Sequence, residues 1–292
     1  MLWLALVACA PTPAPAPPPP PTPVVPEVPR AAPEPSWIDQ RVAAAEARLA
    51  ATEAGRLVKE AIDAAGGLRA WYSASPLGFR FDYRPLNGKT PRDTRQVVDL
   101  WRSRAVHTWM GDERVTFGWD GTVAWQKGPE GVELPINPRF WSLTPYYFVG
   151  MPFVLADEGV QLTVEGPAVF EQRPCTLVRV GFADGTGDAP DDAYVVYLDD
   201  DTRRVAALRY IVSYPGFFPE GGHSPWKVMA YDGARGFARL TLPDHFRTYQ
   251  WTDEAGRGEL VTEITLSDLS VKADFTVDDF AVPSGAVTRE TL

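Results

Sequence analysis

Histidine and cysteine are scarce in this 292-residue chain, which contains only three histidines and two cysteines. These numbers all but exclude a Cys/His zinc site and a disulfide framework. Apolar runs are short, and none reaches the roughly 18 residues of a membrane-spanning helix. Positive charge is also in deficit, because 28 Lys and Arg face 38 Asp and Glu for a net charge of −10. Such a chain does not bind nucleic acid through bulk charge. We expect no nucleic-acid partner, no metal and no other cofactor.

Proline, in contrast, is abundant and unevenly spread. Thirteen of the 29 prolines fall between Pro11 and Pro35, in a stretch with almost no charge and no aromatic residue. Such a stretch cannot bury enough apolar surface to offset its ordering entropy. We therefore predict a Pro-rich disordered linker over residues 10–35, extended in the polyproline II conformation. A docking ligand for proline-binding modules is the alternative. With no second linker or repeat, residues 36–292 are predicted to form one domain.

The N-terminal nine residues are apolar and end in a cysteine. Leu6-Val7-Ala8-Cys9 resembles the lipobox of bacterial lipoproteins, in which small residues precede the cysteine that receives a diacylglycerol. The resemblance implies that residues 1–9 are a lipoprotein signal segment and that lipidated Cys9 anchors the protein in a membrane. Ala10, rather than Asp, after the cysteine implies an outer membrane lipoprotein facing the periplasm. A chance cysteine in a short apolar tail is the alternative.

The domain begins with a helical pattern. Ser36 is a plausible N-cap, alanine-rich sequence runs to Ala65, and Gly66-Gly67 ends the helix. The apolar stripe changes phase near Gly55, which predicts a break or bend there.

After Gly67 the apolar period changes from 3.6 to 2, which is typical of strands. Phe79, Phe81 and Tyr83 alternate with polar residues, and Asp120-Gly121 is a hairpin turn between two further strands. Strand-like runs also cover 104–109, 177–182, 194–198, 205–214, 226–231, 245–251 and 260–271. Roughly ten strands predict an all-β barrel or a strongly curved sheet with an added helix.

One aromatic segment, Pro138–Leu155, interrupts this pattern. Its prolines at 138, 145 and 152 argue against a long strand or an unbroken helix, so we predict short helical turns across the mouth of the barrel. Its aromatic residues either plug an open end as core or form a lid over an apolar cavity. The residues alone leave both alternatives open.

Catalytic motifs are not evident, and we predict that the protein is not an enzyme. The chain lacks a G-x-S-x-G elbow, and Ser224 follows His223 in a Gly- and Pro-rich loop. Cys175 is expected to be inert core. Two aspartate clusters read as solvated turns: Asp184, Asp188, Asp191 and Asp192 form the first, and Asp199, Asp200 and Asp201 the second.

This order of elements resembles the LolA-like superfamily of periplasmic lipid carriers and lipoproteins. The resemblance rests on the helix ending at Gly66-Gly67, the hairpin of residues 119–125, the aromatic insert, the turn after strand 194–199 and the closing segment 275–283. It implies a mainly β fold, a half-open curved antiparallel β-barrel with an N-terminal helix and short helical lid segments. It also implies a hollow that binds acyl chains.

The predicted function is non-catalytic binding of a hydrophobic ligand, an acyl lipid or lipidated protein, by a monomer. The predicted lining of the cavity comprises Phe79, Phe81, Trp119, Trp125, Phe140, Trp141, Tyr147, Phe148, Met151 and Phe153. The alternative is a glycan- or protein-binding module with a plugged barrel. Trp and Tyr side chains on the convex face or at loop tips would favour that alternative, whereas aromatic residues around a hollow would favour lipid binding.

Overall fold

The structure, a computed structural model, describes residues 29–132, 134–187, 189 and 191–289. The helices are α1 (Pro35–Ala50), α2 (Glu53–Ala64), α3 (Leu68–Ser73) and α4 (Pro138–Val149), with 3-10 turns at Phe153–Ala156 and Val277–Phe280. Within the described ranges, no helix has the length and apolar character needed to cross a membrane.

Most of the chain forms a single antiparallel sheet. The strands are β1 (Leu77–Pro85), β2 (Arg92–Asp99), β3 (Arg104–Trp109), β4 (Thr116–Trp119), β5 (Ala124–Lys127), β6 (Val160–Phe170), β7 (Arg173–Phe182), β8 (Tyr194–Asp199), β9 (Val205–Tyr210), β10 (Lys227–Asp232), β11 (Arg235–Phe237), β12 (Leu240–Leu242), β13 (His245–Thr252), β14 (Gly256–Val271) and β15 (Val287–Arg289). Thirteen strands follow the order β15-β5-β4-β3-β2-β1-β14-β13-β10-β9-β8-β7-β6, and β11 and β12 form a separate hairpin. The outer strands β15 and β6 are not neighbours, so the sheet is open. The predicted half-open fold is confirmed.

The sheet curves around the helices, and bulges contribute to the bend. The pairing register shifts between Gly78 and Arg80 in β1, between Val164 and Gly166 in β6, and twice in β13. An extra residue on one strand increases local twist and bends the sheet. The concave face carries the main hydrophobic core together with the helices, and a smaller core lies on the convex side of β7–β10 and β13.

The N-terminal helical region breaks close to the predicted position. Helix α1 ends at Ala50, and Thr52 caps α2 by accepting a hydrogen bond from the Gly55 N–H (3.0 Å). A Cβ on Gly55 would collide with the Leu49 carbonyl, so glycine permits the close approach of the two helices. The expectation that Ser36 caps α1 was wrong, because the helix begins at Pro35, a residue well suited to the first helical position.

Ordered structure begins before Ser36. Ala31 is buried and donates its backbone N–H to the Phe275 carbonyl (2.8 Å), and Val277 donates to the Pro29 carbonyl (3.0 Å). Residues 29–35, which the sequence analysis assigned to the linker, therefore pack against the closing segment of the domain. Residues 10–28 of the predicted linker lie outside the described residues.

Five strands and one helix were not predicted from the sequence: the longer strands β2 and β6, the short strands β11, β12 and β15, and helix α3. Strand β6 is an edge strand containing Gly166-Pro167, which the pattern rules read as a break, but edge strands tolerate proline. Strand β2 alternates polar with buried residues, and its buried Thr94 and Gln96 hide the apolar signal. Helix α3 follows Gly67 directly and precedes the change to strand periodicity.

Candidate functional site

Helix α4 crosses the concave face as one continuous helix of 12 residues. The segment breaks after this helix, before the 3-10 turn at Phe153–Ala156, as its prolines predicted, but Pro145 does not interrupt α4. Pro138 occupies the first turn, where no N–H is needed, and Pro152 follows the C-terminus. Pro145 lies inside the helix, is buried, and has no N–H to donate to the carbonyl four residues earlier.

Hydrogen bonds to opposite parts of the sheet hold α4. On β3, His107 Nε2 lies 2.9 Å from the Ser142 carbonyl, which assigns the proton to Nε2, and its ring stacks on Phe117 at 4.4 Å. Burial lowers the pKa of His107 to about 4, so the ring is neutral at pH 7. On β10, the Tyr231 hydroxyl donates to the Phe148 carbonyl (3.0 Å). These two hydrogen bonds therefore fix α4 to both sides of the concave face.

One side of α4 and the following turn fill the core. Trp71 of α3 stacks on Phe153 at 4.6 Å and on Tyr146 at 6.3 Å, and Trp141 meets Tyr83 of β1 edge-on at 5.1 Å. All of these side chains except Tyr83 are buried. The segment is thus a plug on this side.

The other side of α4 borders a cavity of about 170 Å³ between the helix and strands β6–β9. Its apolar and aromatic lining comprises Phe140, Leu143, Tyr147, Phe148, Met151, Val154, Leu155, Val160, Phe182, Tyr194, Leu208, Tyr210, Val212 and Tyr214. An engineered apolar cavity of roughly 150 Å³ in another protein binds benzene. The hollow is therefore large enough for a ring or a short stretch of acyl chain. On this side the segment borders a hollow instead of filling it.

Exposed aromatic side chains mark the rim of the cavity. Tyr147 of α4 is 40% exposed, and Phe217 of the β9–β10 loop is 48% exposed. Phe217 packs on Phe140 with ring centres 4.8 Å apart. The loop is fastened where it leaves β9, because Asp192 accepts bonds from the Ser213 N–H (2.6 Å) and hydroxyl (2.8 Å). The cavity thus opens next to apolar surface.

The acidic groups that border the cavity have partners of their own. Asp157 accepts a hydrogen bond from Arg41 at 3.1 Å, and Glu158 lies 3.6 Å from Arg48. Burial raises the pKa of Asp157 above its ordinary value, against the opposing effect of Arg41. These pairs join α1 to the turn that follows α4.

The predicted lining residues separate into three groups. Phe140, Tyr147, Phe148 and Met151 line the cavity. Phe79, Phe81, Trp119, Trp141 and Phe153 face the concave side but belong to the packing around α3 and α4. Trp125 lies on the convex side, because it pairs with Gly118 while Trp119 pairs with Ala124. The assignment of Trp119 and Trp125 to one face was therefore wrong. Cys9 lies outside the described residues.

The cavity wall opposite α4 was not predicted from the sequence. Tyr194 of β8 and Leu208 and Tyr210 of β9 line the cavity, as does Val160 of the unrecognised strand β6. The alternation of Leu208 and Tyr210 was recognised, but nothing in it indicated that this half of the sheet borders a hollow.

The remaining polar candidates have structural roles. The Ser224 hydroxyl accepts the Val212 N–H (3.0 Å) and donates to the Pro225 carbonyl, while His223 contacts a backbone carbonyl. Asp199 accepts the N–H groups of Asp201 and Thr202, which fixes a turn. In the part of the chain that the structure describes, no three His, Cys, Asp or Glu side chains are placed to hold a metal. Asp188 is outside that part.

Tryptophan also occurs on the convex face, which bears on the glycan-binding alternative. Trp226 and Trp251 lie there with the Arg209 guanidinium 5.4 and 5.1 Å from their ring centres. Both are half-buried, and Trp251 packs against the convex core. Their stacking faces are engaged by an arginine of the same protein, which does not suit a platform for sugars.

Comparison with solved structures identifies the architecture as an open antiparallel sheet wrapped around helices. The chain is similar to a LolA superfamily protein from Nitrosomonas europaea, at 9% identity and a TM-score of 0.50, over 80% of this chain and 99% of that one. The protein has a LolA-like fold, as the resemblance implied.

The chain is also similar to two other solved structures over most of their length. A DUF1329 family protein from Desulfovibrio piger gives 11% identity and a TM-score of 0.49, over 77% of this chain and 97% of that one. A putative outer membrane lipoprotein-sorting protein domain from Vibrio parahaemolyticus gives 12% and 0.42, over 70% and 88%. No protein-family profile and no curated protein sequence matches the chain. The fold assignment rests on the first structure alone.

Proposed function

We propose that the protein binds an acyl chain, from a lipid or a lipidated protein, in the cavity between α4 and strands β6–β9. The observation that carries this proposal is the hollow itself, about 170 Å³ and bordered largely by aromatic and aliphatic side chains. Empty apolar volume forfeits dispersion contacts, and an acyl chain recovers both those contacts and hydrophobic free energy. Phe148 and Met151 in the lid can repack around chains of different length.

The proposed activity is binding without chemistry. The polar side chains at the rim, such as Asp157 and Asp192, are engaged in ion pairs or backbone hydrogen bonds. A LolA-like fold in other proteins also supports a carrier or acceptor role by analogy, which is a weaker argument than the cavity.

We further propose that Cys9 is lipidated and anchors a monomeric domain to the periplasmic face of the outer membrane. The support is the lipobox-like Leu6-Val7-Ala8-Cys9 followed by a proline-rich spacer. At roughly 3.1 Å per residue, a spacer of about 20 residues would let the domain reach on the order of 60 Å from the membrane. Fractionation of cells that express the full chain and a Cys9→Ser variant tests this. Native protein should sediment with outer membranes and the variant should not. Equal distribution would contradict anchoring.

The binding proposal is tested by blocking the cavity. Val212 is half-buried and lines the cavity, so Val212→Trp adds a large ring that occupies cavity space. An unchanged thermal midpoint establishes that the variant is folded. The full chain is titrated with a fluorescent fatty acid, and native mass spectrometry of detergent-free protein detects co-purified lipid. We expect one-to-one uptake by the native protein and at least about a tenfold loss of affinity in the variant.

The matched control is Val169→Trp. Val169 is 71% exposed on the edge strand β6 and does not line the cavity. Uptake should be unchanged in this control. If native protein takes up no fatty acid, or if both variants bind as the native protein does, the proposal is wrong.

A further inference from the structure

Three positively charged side chains lie towards one end of the concave face. Arg92 begins β2 and shares its face with the buried Thr94, and Lys227 begins β10 and shares its face with the buried Met229. Lys89 lies in the loop that leads into β2. Burial lowers the pKa of Lys227, and the charges of Lys89 and Arg92 lower it further. The three groups are therefore within electrostatic range of one another.

These cations lack a negatively charged partner. Among the residues that the structure describes, none of the three forms an ion pair with a carboxylate, although the chain as a whole is strongly acidic. The acidic groups beside the cavity differ, since Asp157 and Glu158 each have an arginine partner. Holding like charges together in a partly buried place costs free energy, and a bound anion offsets that cost.

A buried hydrogen-bond donor lies beside this cluster. The Arg92 guanidinium stacks 4.9 Å from the ring centre of Trp141 and 5.1 Å from that of Tyr83. Trp141 is 3% exposed, and its Nε1 has no hydrogen-bond partner among the described residues. Because an indole N–H can only donate, an acceptor is what this group requires. An unpartnered donor therefore belongs to the same ring on which the Arg92 guanidinium stacks.

The cluster adjoins the cavity through Lys227, which pairs with the lining residue Tyr210 of β9. Trp141 extends from α4 towards β1, where it packs on Tyr83. We propose that Arg92, Lys227, Lys89 and the indole N–H of Trp141 bind the anionic group, a carboxylate or phosphate, of an amphiphile whose tail occupies the cavity. The placement of the tail rests on the proposed function, whereas the anion site rests on the cations and the indole.

Two ligands that differ only in charge test this inference. Binding of decanoate and of decanol to the full chain is measured by calorimetry, because the two share a tail and only decanoate carries a charge. Charge-assisted hydrogen bonds are stronger than neutral ones, so decanoate should bind at least about tenfold more tightly. Added salt should reduce this preference.

Variants then assign the preference to residues. In the double variant Arg92→Gln, Lys227→Gln, the preference for decanoate should disappear while decanol still binds, and Lys227→Arg should retain it. Lys127→Gln is the control, because Lys127 is exposed on the convex face of the sheet, away from the proposed anion site. Unchanged thermal midpoints establish that the variants are folded.

The outcomes separate the two proposals. If native protein binds decanoate and decanol equally, or the double variant keeps the preference, the anion site is wrong and the apolar cavity stands. If neither decanoate nor decanol binds, the proposed function is wrong. Binding of inorganic phosphate to the native protein then tests the anion site by itself. Phosphate binding that the double variant loses would identify a site for free phosphate, and no phosphate binding would overturn the inference.

Discussion

The two halves of the concave face are built from similar residues, but one half is filled with side chains and the other contains a cavity. Beside β1–β5, aromatic side chains of α3, α4 and the sheet fill the space, with Trp71 stacked on Phe153 at 4.6 Å. Beside β6–β9, equally aromatic walls enclose a cavity of about 170 Å³. The difference follows from where α4 lies, since its hydrogen bond from His107 holds it close to β3. Aromatic content alone therefore does not distinguish a core from a binding site.

The largest effect should come from emptying the filled half. Trp71→Ala removes a fully buried ring that stacks between Phe153 and Tyr146, and we expect a loss of about 3–5 kcal/mol in the free energy of unfolding. Urea denaturation measures this loss. Trp37→Ala on the exposed side of α1 is the control and should cost less than about 0.5 kcal/mol. Similar losses in both variants would show that the filled half is not closely packed.

The next largest effect depends on pH and sharpens the role of His107. The folded protein binds a proton here with a pKa of about 4, against an ordinary value of 6.5. Between these values the unfolded chain holds more protons, so stability falls as the pH drops from 6.5 to 4, by up to about 3 kcal/mol.

Unfolding measured at pH 7 and pH 4 tests this effect. His107→Gln should remove that part of the acid sensitivity, whereas His223→Gln, at an exposed position, should leave it unchanged. An unaltered pH dependence in His107→Gln would argue against a buried neutral ring.

Adding one methylene group should reduce stability more in the filled half of the concave face than in the half with the cavity. Val98 is fully buried on the filled side, whereas Val160 borders the cavity. Val98→Leu overpacks the core and should cost about 1–3 kcal/mol, while Val160→Leu should cost less than about 0.5 kcal/mol because space is present. Thermal denaturation of the two variants makes the comparison. Equal costs would mean that the hollow is closed in solution.

The smallest effect should loosen the lid at one end. Tyr231→Phe removes the hydroxyl that donates to the Phe148 carbonyl and should cost about 1 kcal/mol. Hydrogen exchange then provides an internal control. The Gly150 N–H, which donates to Tyr146 at 2.7 Å, should exchange faster, while the half of α4 near His107 stays protected. Uniformly faster exchange along α4 would show that the helix responds as a rigid unit.

Local patterns predicted the curved sheet well. Phe79 and Phe81 lie on the concave face as their alternation indicated, and Gly66-Gly67 ends the second helix. These features depend on neighbours in the sequence, where periodicity and backbone conformation act directly. The edge strand β6 escaped because Gly166-Pro167 looks like an interruption.

The site was predicted only in part, because it depends on distant contacts. Phe140, Tyr147, Phe148 and Met151 border the cavity, and their action as a lid stays a prediction, whereas the opposite wall was not foreseen. Trp125 was misplaced because the four-residue connection sets Trp119 opposite Ala124, and one step of register moves a side chain to the other face. The segment acts as a plug on one side of α4, and on the other side, where it borders the cavity, the lid stays a prediction.

Near the middle of the sheet, a strand from the N-terminal part of the domain pairs with a strand from its C-terminal part. Strand β1 pairs with β2, which follows it, and with β14, which lies about 180 residues later. During synthesis the first five strands can form, but β1 keeps an open edge until nearly all of the chain has emerged. Such long-range pairing slows folding, and an unpaired edge invites association with other chains. Nascent protein is therefore most prone to aggregation just before its last long strand is made.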